Sequence, residues 1–289
     1  MTRRVRGRQG APLARFDATA VALPFDQTAC EHFIMRLATF ILFGLLAVGG
    51  ARLAHGQSAA DHIAAGDRDH AARNAQGALA HYEAALALDS TNYDALIKAA
   101  FEAVDLGEFT VSPEQRASLF RSGEHYARRA VAANPRDAEA HFHLARALGR
   151  TALSVGVRDR IKYATEVHDE ALAALAIDAH HSGALHVIGM WNAEVMRLNG
   201  FSRLIAKRFL GGKVFEEANW DNAQRYLEQA VAADPNRIVH RLDLGGVYAD
   251  RHETAKAVEQ LEWIGRAPVT DYNDPNYKKA ADVRLRELR

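Results

Sequence analysis

The stretch AQRYLEQAVAADPNRIVHRLDLGGVYADRHETAKAVEQL, residues 223–261, decides the fold. Its small and apolar residues recur at helical spacing in three runs, and each break falls where a helix ends or begins. Ala223, Leu227 and Ala230 share one helix face. Asp234-Pro235 closes that helix, because proline cannot continue it and disfavours helical backbone just before itself. Leu244-Gly245 and Tyr248 then mark the first helix of a hairpin, and Ala257 and Leu261 the second. Gly245 is expected to let the two helices touch, Tyr248 to fill the wedge between helices, and Ala257 to sit where they cross.

The same order returns up the chain. Ala127, Ala130 and Asn134-Pro135 end one hairpin; Ala78, Tyr82, Ala85 and Asp89-Ser90, with Gly66 in the preceding helix, end another; Ala171, Ala174 and Asp178-Ala179 end a third. These are helical-hairpin repeats of the tetratricopeptide type, so the expected fold class is an all-α solenoid, with no sheet predicted over residues 57–289. The hairpin ends Asp89, Asn134, Asp178 and Asp234 lie 45, 44 and 56 residues apart. The usual period is about 34. The repeats are therefore enlarged, with insertions expected near Gly107 to Pro113, near Ser154 to Arg160 and across Leu198 to Asn219. From Asp274 to Arg289 the sequence predicts a last helix with Pro275 in its first turn and a charged outer face, as in a solenoid cap.

Of the 289 residues, 48% are apolar, which supports a folded chain, and 36 Lys and Arg balance 36 Asp and Glu. That balance argues against nucleic acid as a partner. Cys30 is the one cysteine and lies outside the repeats, which excludes a disulfide framework and cysteine-ligated zinc there.

Before the repeats stands a different kind of segment. From Met35 come a basic Arg36, an apolar run from Leu37 to Ala51, and the small-residue pattern Ala54-His55-Gly56 ahead of Gln57. This is the anatomy of a signal peptide, with export to a periplasm or secretion and cleavage near Gly56 expected. Retention as a membrane anchor through residues 37–51 is the alternative, though the run falls short of the ~20 residues that span a bilayer. Residues 1–34 show no sustained periodicity and are read as an untranslated or disordered leader, with Met35 as the start. The expected division is thus 1–34 leader, 35–56 signal and 57–289 repeat domain.

Several strings go beyond generic repeats: Ser122-Gly123-Glu124-His125-Tyr126-Ala127 with Pro135, AHFHLARALG at 140–149, IGMWNAEV at 188–195, RLIAKRF at 203–209, YLEQAVAADPN at 226–236 and LDLGGVYAD at 242–250. Over about residues 90–289 the chain resembles the regulator of microtubule dynamics family, as an exported member of bacterial type. The resemblance implies a helical repeat domain which, in eukaryotic members, is tied to microtubules, organelle membranes and phospholipid binding. The export signal makes the domain and a lipid- or protein-binding role the portable part.

Catalytic and metal motifs are sparse. The histidines at 62, 125, 141, 143, 168, 180, 181 and 186 form no HExxH pattern, and His141 and His143 point to different helix faces. Gly211-Gly212-Lys213 lacks the earlier glycine and following hydroxyl of a phosphate loop. Asp271-Tyr272-Asn273-Asp274-Pro275-Asn276 opens like a calcium loop but has proline and asparagine where a ligand and glycine are needed, so it reads as a helix start. No GxSxG elbow occurs. A non-catalytic chain without metal or cofactor is expected.

The functional candidate is the groove lined by the first helix of each hairpin. Positions five and nine of those helices give Ile97 and Phe101, Phe142 and Arg146, His186 and Met190, then Leu242 and Gly246. A largely apolar face with one guanidinium favours an apolar or amphipathic ligand, with Arg146 and Arg150 meeting an anionic head group. The alternative is that these side chains pack against an insertion or against the C-terminal helix folded into the groove. Phe201, Arg203, Lys207, Arg208, Phe209 and Lys213, with Leu204 and Ile205, are a second candidate, as an amphipathic helix on an anionic membrane surface or one packed on Trp191 or Trp220. The expected function is an exported scaffold binding a protein or peptide partner; the alternative is a phospholipid or amphipathic-ligand module.

Overall fold

Four times the chain leaves a helix through an Asp or Asn whose side chain closes the turn. Asp89, Asn134, Asp178 and Asp234 each donate their backbone N–H to the carbonyl four residues back, at Ala85, Ala130, Ala174 and Ala230. Each also accepts, on its side-chain oxygen, the N–H two residues on: Thr91 at 3.1 Å, Arg136 at 3.3 Å, His180 at 2.9 Å and Asn236 at 3.3 Å. This is an Asx turn repeated four times. It explains why the repeats end alike with Pro135 and Pro235 or with Ser90 and Ala179 in the next position.

Backbone angles at the four residues nearly coincide, from φ −133°, ψ 99° at Asp178 to φ −142°, ψ 85° at Asn134. This geometry lies outside the helical region that a following proline disfavours, and at Asn134 and Asp234 a proline does follow it. Ala179→Pro is therefore expected to stabilise the chain by about 0.5–1 kcal/mol, by restricting the unfolded state at a site already shaped for proline. Thermal unfolding followed by circular dichroism checks this; a lowered melting temperature would show that the Ala179 turn differs from its Pro-bearing counterparts.

The computed structural model describes residues 57–152, 154–198 and 212–289. Among them are eleven α-helices, one 3-10 turn over Gly212–Glu216, and no strand. The helices form five hairpins and a final helix: α1 (Ala59–Ala71) with α2 (Ala75–Leu88), α3 (Tyr93–Glu108) with α4 (Pro113–Ala133), α5 (Ala138–Ala152) with α6 (Val157–Ile177), α7 (Ser182–Arg197) with α8 (Trp220–Ala233), α9 (Ile238–Asp250) with α10 (Thr254–Arg266), and α11 (Asp274–Leu288). The fold is the all-α solenoid of helical hairpins that the repeats predict. No helix of the described residues is long and apolar enough to cross a membrane. The leader, the signal segment and residues 199–211, which hold Phe201, Arg203, Lys207, Arg208 and Phe209, lie outside the described residues.

Local chemistry starts the helices. Ser58 and Asp61 form a reciprocal capping box on α1, and Asn74, Asn92, Ser112 and Asn219 each accept an N–H from the first turn they open. Within hairpins one and five the turn is three residues long, and its middle residue, Arg73 or His252, takes a left-handed φ of 59° or 62°. The enlarged second and third hairpins differ from the expected insertions. Their connections, Phe109–Ser112 and residues 153–156, are short, and the extra length is helix: α4 and α6 have 21 residues each, against 14 in α2 and 13 in α10. Additional turns of an amphipathic helix bury more surface against a neighbour than an open loop does.

Packing follows the small residues. A Cβ on Gly66 would stand 2.4 Å from the Tyr82 ring, and one on Gly245 3.2 Å from Leu261 Cγ, so both glycines let the paired helices touch. Ala257 is fully buried. Tyr248 is buried too, and its hydroxyl donates to Glu228 at 2.8 Å, which ties α9 to α8 as the wedge predicts. Trp191 on α7 donates to the Ala164 carbonyl on α6 at 2.7 Å and is stacked on Phe215 of the 3-10 turn. The first helices α3, α5, α7 and α9 touch in succession, and together they line the inner face.

Candidate functional site

The inner face starts from the residues singled out by position. Ile97 is half-buried against the core of the first two hairpins. Phe101 lies edge-on to His70 and His143, at 5.6 and 5.8 Å between ring centroids, with the Arg146 guanidinium 5.1 Å and that of Arg237 6.0 Å from its ring centre. Phe142 is wedged between His143 and His181 against Gly183, where a Cβ would meet its ring at 2.5 Å. It fills the α5–α7 contact. Met190 packs into the α7–α8–α9 core, and Leu242 is 5% exposed in a cluster with Ile264 and Tyr277. Gly246 adjoins Arg284, whose Nη1 would be 2.7 Å from a Cβ there.

Between these residues the face carries charge. Asp105, one turn beyond Phe101 on α3, pairs with Arg146 of α5 while 2% exposed. Glu108 accepts from Arg150 at 2.5 Å and has its second oxygen 3.8 Å from Arg146. Glu102, also 2% exposed, meets His70 Nδ1 at 2.5 Å. His186 bonds Asp243 at 2.9 Å, and its ring lies tilted against that of His240 at 4.9 Å between centroids. Glu139 lies between His143 and His181, 3.3 Å from each. The carbonyl of Leu242 accepts from Arg284 at 2.9 Å. The inner face is thus a ladder of ion pairs with aromatic rings between them.

Burial and pairing set the protonation of these groups. Burial pushes the Glu102 carboxyl up to about 7, against the opposing pull of His70. Burial likewise raises Asp105, while Arg146 opposes the shift. Burial holds His240 near 2 and lowers His143. Hydrogen bonds from His143 and His181 keep Glu139 well below the usual carboxylate range. On Asp243 burial is the largest single influence, but the hydrogen bond and charge of His186 together with the charges of Arg284 and Arg150 outweigh it, so this carboxyl is lowered.

Residues beyond α10 then close over this face. Arg237 at the start of α9 pairs with Asp271, Asn273 Nδ2 donates to the Asp105 carbonyl at 3.0 Å, and the Tyr277 ring stands edge-on to Phe109 at 5.4 Å. Asn273 and Asp105 are 168 residues apart in sequence. Asp274 organises the approach, its carboxylate accepting the N–H groups of Thr270 and Asp271 at 2.8 Å each. Helix α11 therefore does more than cap the end of the array: it begins inside the groove, against α3 of the second hairpin.

The positional reading reaches Phe101 and Arg146 but not Glu102, Asp105, Glu108, Asp243 or the C-terminal contacts. One signal is present, since Asp105 follows Phe101 by four residues and shares its helix face. Among the described residues no group of three or more His, Cys, Asp or Glu is placed to hold a metal ion.

Fold and face together define a helical-repeat protein of the tetratricopeptide class. The chain belongs to the family described as Regulator of microtubule dynamics protein 1-3, whose model matches residues 58–289. No curated protein sequence matches it. Among solved structures it is similar to TTC0263, a thermophilic TPR protein of Thermus thermophilus, with a TM-score of 0.54 and 17% identity over 78% of this chain and 100% of that one. Weaker likenesses are to PilF of Pseudomonas aeruginosa (TM-score 0.44, 14% identity, 80% and 91% covered) and to YrrB, described as a TPR protein with an unusual peptide-binding site (0.39, 16%, 80% and 92%). At these identities the likeness is one of fold.

Proposed function

We propose that the chain is a protein-interaction scaffold that works through its inner face, without chemistry of its own, after export by the segment that ends near Gly56. One observation carries the reading: the face already holds a polypeptide segment, Asp271–Tyr277, through an ion pair, a backbone hydrogen bond and an aromatic contact. A surface that holds a turn and the start of a helix through side-chain pairs of this kind has the chemistry of a peptide site. A cleft of about 300 Å3 beside α7, α9 and α11 is lined by Arg197, Asp250, Arg284 and Glu287 among smaller residues, a poor lining for an acyl chain. The protein-partner reading is therefore preferred to the lipid one.

Crosslinking in producing cells, followed by purification of the full chain and mass spectrometry, tests the scaffold. A protein recovered reproducibly with the unaltered chain, and lost with a folded Phe101→Glu variant, is the expected result. Recovery of the chain alone across growth conditions counts against it. Sequencing the N-terminus of the mature chain tests export, with a start at or near Gln57 expected.

A further inference from the structure

The segment that closes the inner face also describes what would open it. Val269 and Thr270 are exposed, whereas Asp271, Asn273, Asp274 and Tyr277 are buried, so the turn before α11 and the first turn of that helix present these side chains to the face. Its three anchors fall within seven residues. Asp271 takes the guanidinium of Arg237 beside Phe101, Asn273 takes the Asp105 carbonyl, and Tyr277 takes Phe109.

The fit is incomplete in a specific way. Arg146 Nη1, Glu108 Oε2 and Asn273 Oδ1 are all buried without a hydrogen-bond partner, and all belong to the junction of α3, α5 and the incoming segment. Two of these belong to the face itself: an unspent guanidinium donor and an unspent carboxylate acceptor. A peptide side chain that accepts from Arg146 and a hydroxyl or amide that donates to Glu108 would satisfy atoms the chain's own segment leaves bare. Next to the junction, Phe109 is 42% and Tyr272 39% exposed, so the aromatic contacts at its edge remain open to solvent.

We propose that Asp271–Tyr277 is a tethered competitor that occupies the peptide site of the inner face, and that the partner it holds off is a peptide segment with an acidic residue and an aromatic one. This rests on the scaffold reading and names its ligand class. Tethering keeps the competitor at high local concentration, so the site admits only a partner that binds better or arrives when the segment has swung away.

The test uses the full chain and a fluorescein-labelled peptide of its own residues 267–281. Asp271→Ala combined with Asn273→Ala is expected to bind this peptide at least about tenfold more tightly than the unaltered chain, read by fluorescence anisotropy. Adding Arg237→Ala to that variant, or placing alanine at both anchor positions of the peptide, is expected to return binding to the unaltered level. A folded double variant that binds no peptide overturns the proposal, as does equal binding to both chains. Binding of phosphatidylglycerol vesicles by the double variant, without peptide binding, overturns it in favour of a lipid surface.

Should the double variant fail to fold, hydrogen exchange on the unaltered chain decides. Amides of 267–277 are expected to exchange by local opening well ahead of those in α8 to α10; exchange only with global unfolding overturns the proposal. Loss of the peptide result while a cellular partner is still captured removes the competitor but leaves the scaffold. Peptide binding without any captured partner does the reverse.

Discussion

Arg146→Ala is expected to destabilise the chain by about 3–5 kcal/mol, measured by urea unfolding near pH 7. Asp105 is 2% exposed and Arg146 is its ion-pair partner, so truncation strands a buried carboxylate and leaves Glu108 with Arg150 alone. Removing one member of a buried pair leaves an uncompensated charge; removing both leaves far less. Arg146→Ala with Asp105→Ala is therefore expected to recover a large part of the loss. The loss should also shrink toward pH 5, because burial already pushes the Asp105 carboxyl up and only the guanidinium opposes it strongly. A loss below about 1 kcal/mol at pH 7 would mean that water reaches the pair and that the ladder contributes little.

The second large effect has the opposite sign. Glu102→Gln is expected to stabilise the chain by up to about 3 kcal/mol at pH 8 and by little near pH 4.5. Burial raises the Glu102 carboxyl from an ordinary 4.5 to about 7, so between those values the folded chain holds a proton that the unfolded chain has released. The group's favourable contribution is fully present below about 4.5 and is lost as the pH rises through 7. Glutamine keeps an acceptor for His70 and never ionises, so the loss disappears in the variant. His240 works from the acid side: burial holds it near 2, and its contribution fades as the pH falls below 6.5. Comparing variant with unaltered chain at each pH cancels His240 and isolates Glu102. Equal stability of the two at pH 8 would show that His70 fully compensates the buried carboxylate.

Much of the fold was legible because it rests on short-range rules. The Asp or Asn at each hairpin end, Gly245 against Leu261, Tyr248 in its wedge and the start of α11 beside Pro275 all depend on neighbours within the same hairpin or the next helix. The enlarged repeats were visible as spacing, but not as longer α4 and α6, because the same residues serve a loop or an extra helical turn until a partner surface is supplied. The inner face was legible only as a stripe. Positions five and nine sampled Phe101 and Arg146 and stopped one turn before Asp105, so a charged ladder read as an apolar groove with a single arginine. Phe142, Met190 and Leu242 illustrate the same limit: helical position says that they point inward, while contact decides whether inward is open or filled.

By itself the sequence determined that this chain is a solenoid of helical hairpins, where each hairpin ends and which residues lie at its helix crossings. These follow from hydrogen bonds and packing across a few to some tens of residues, and each repeats its own evidence. Only the tertiary structure decided that Asn273 returns to Asp105 and that α11 begins inside the groove rather than past its end. That meeting depends on small rotations summed over the hairpins between α3 and α11, a property of the curved array that no local pattern of residues carries.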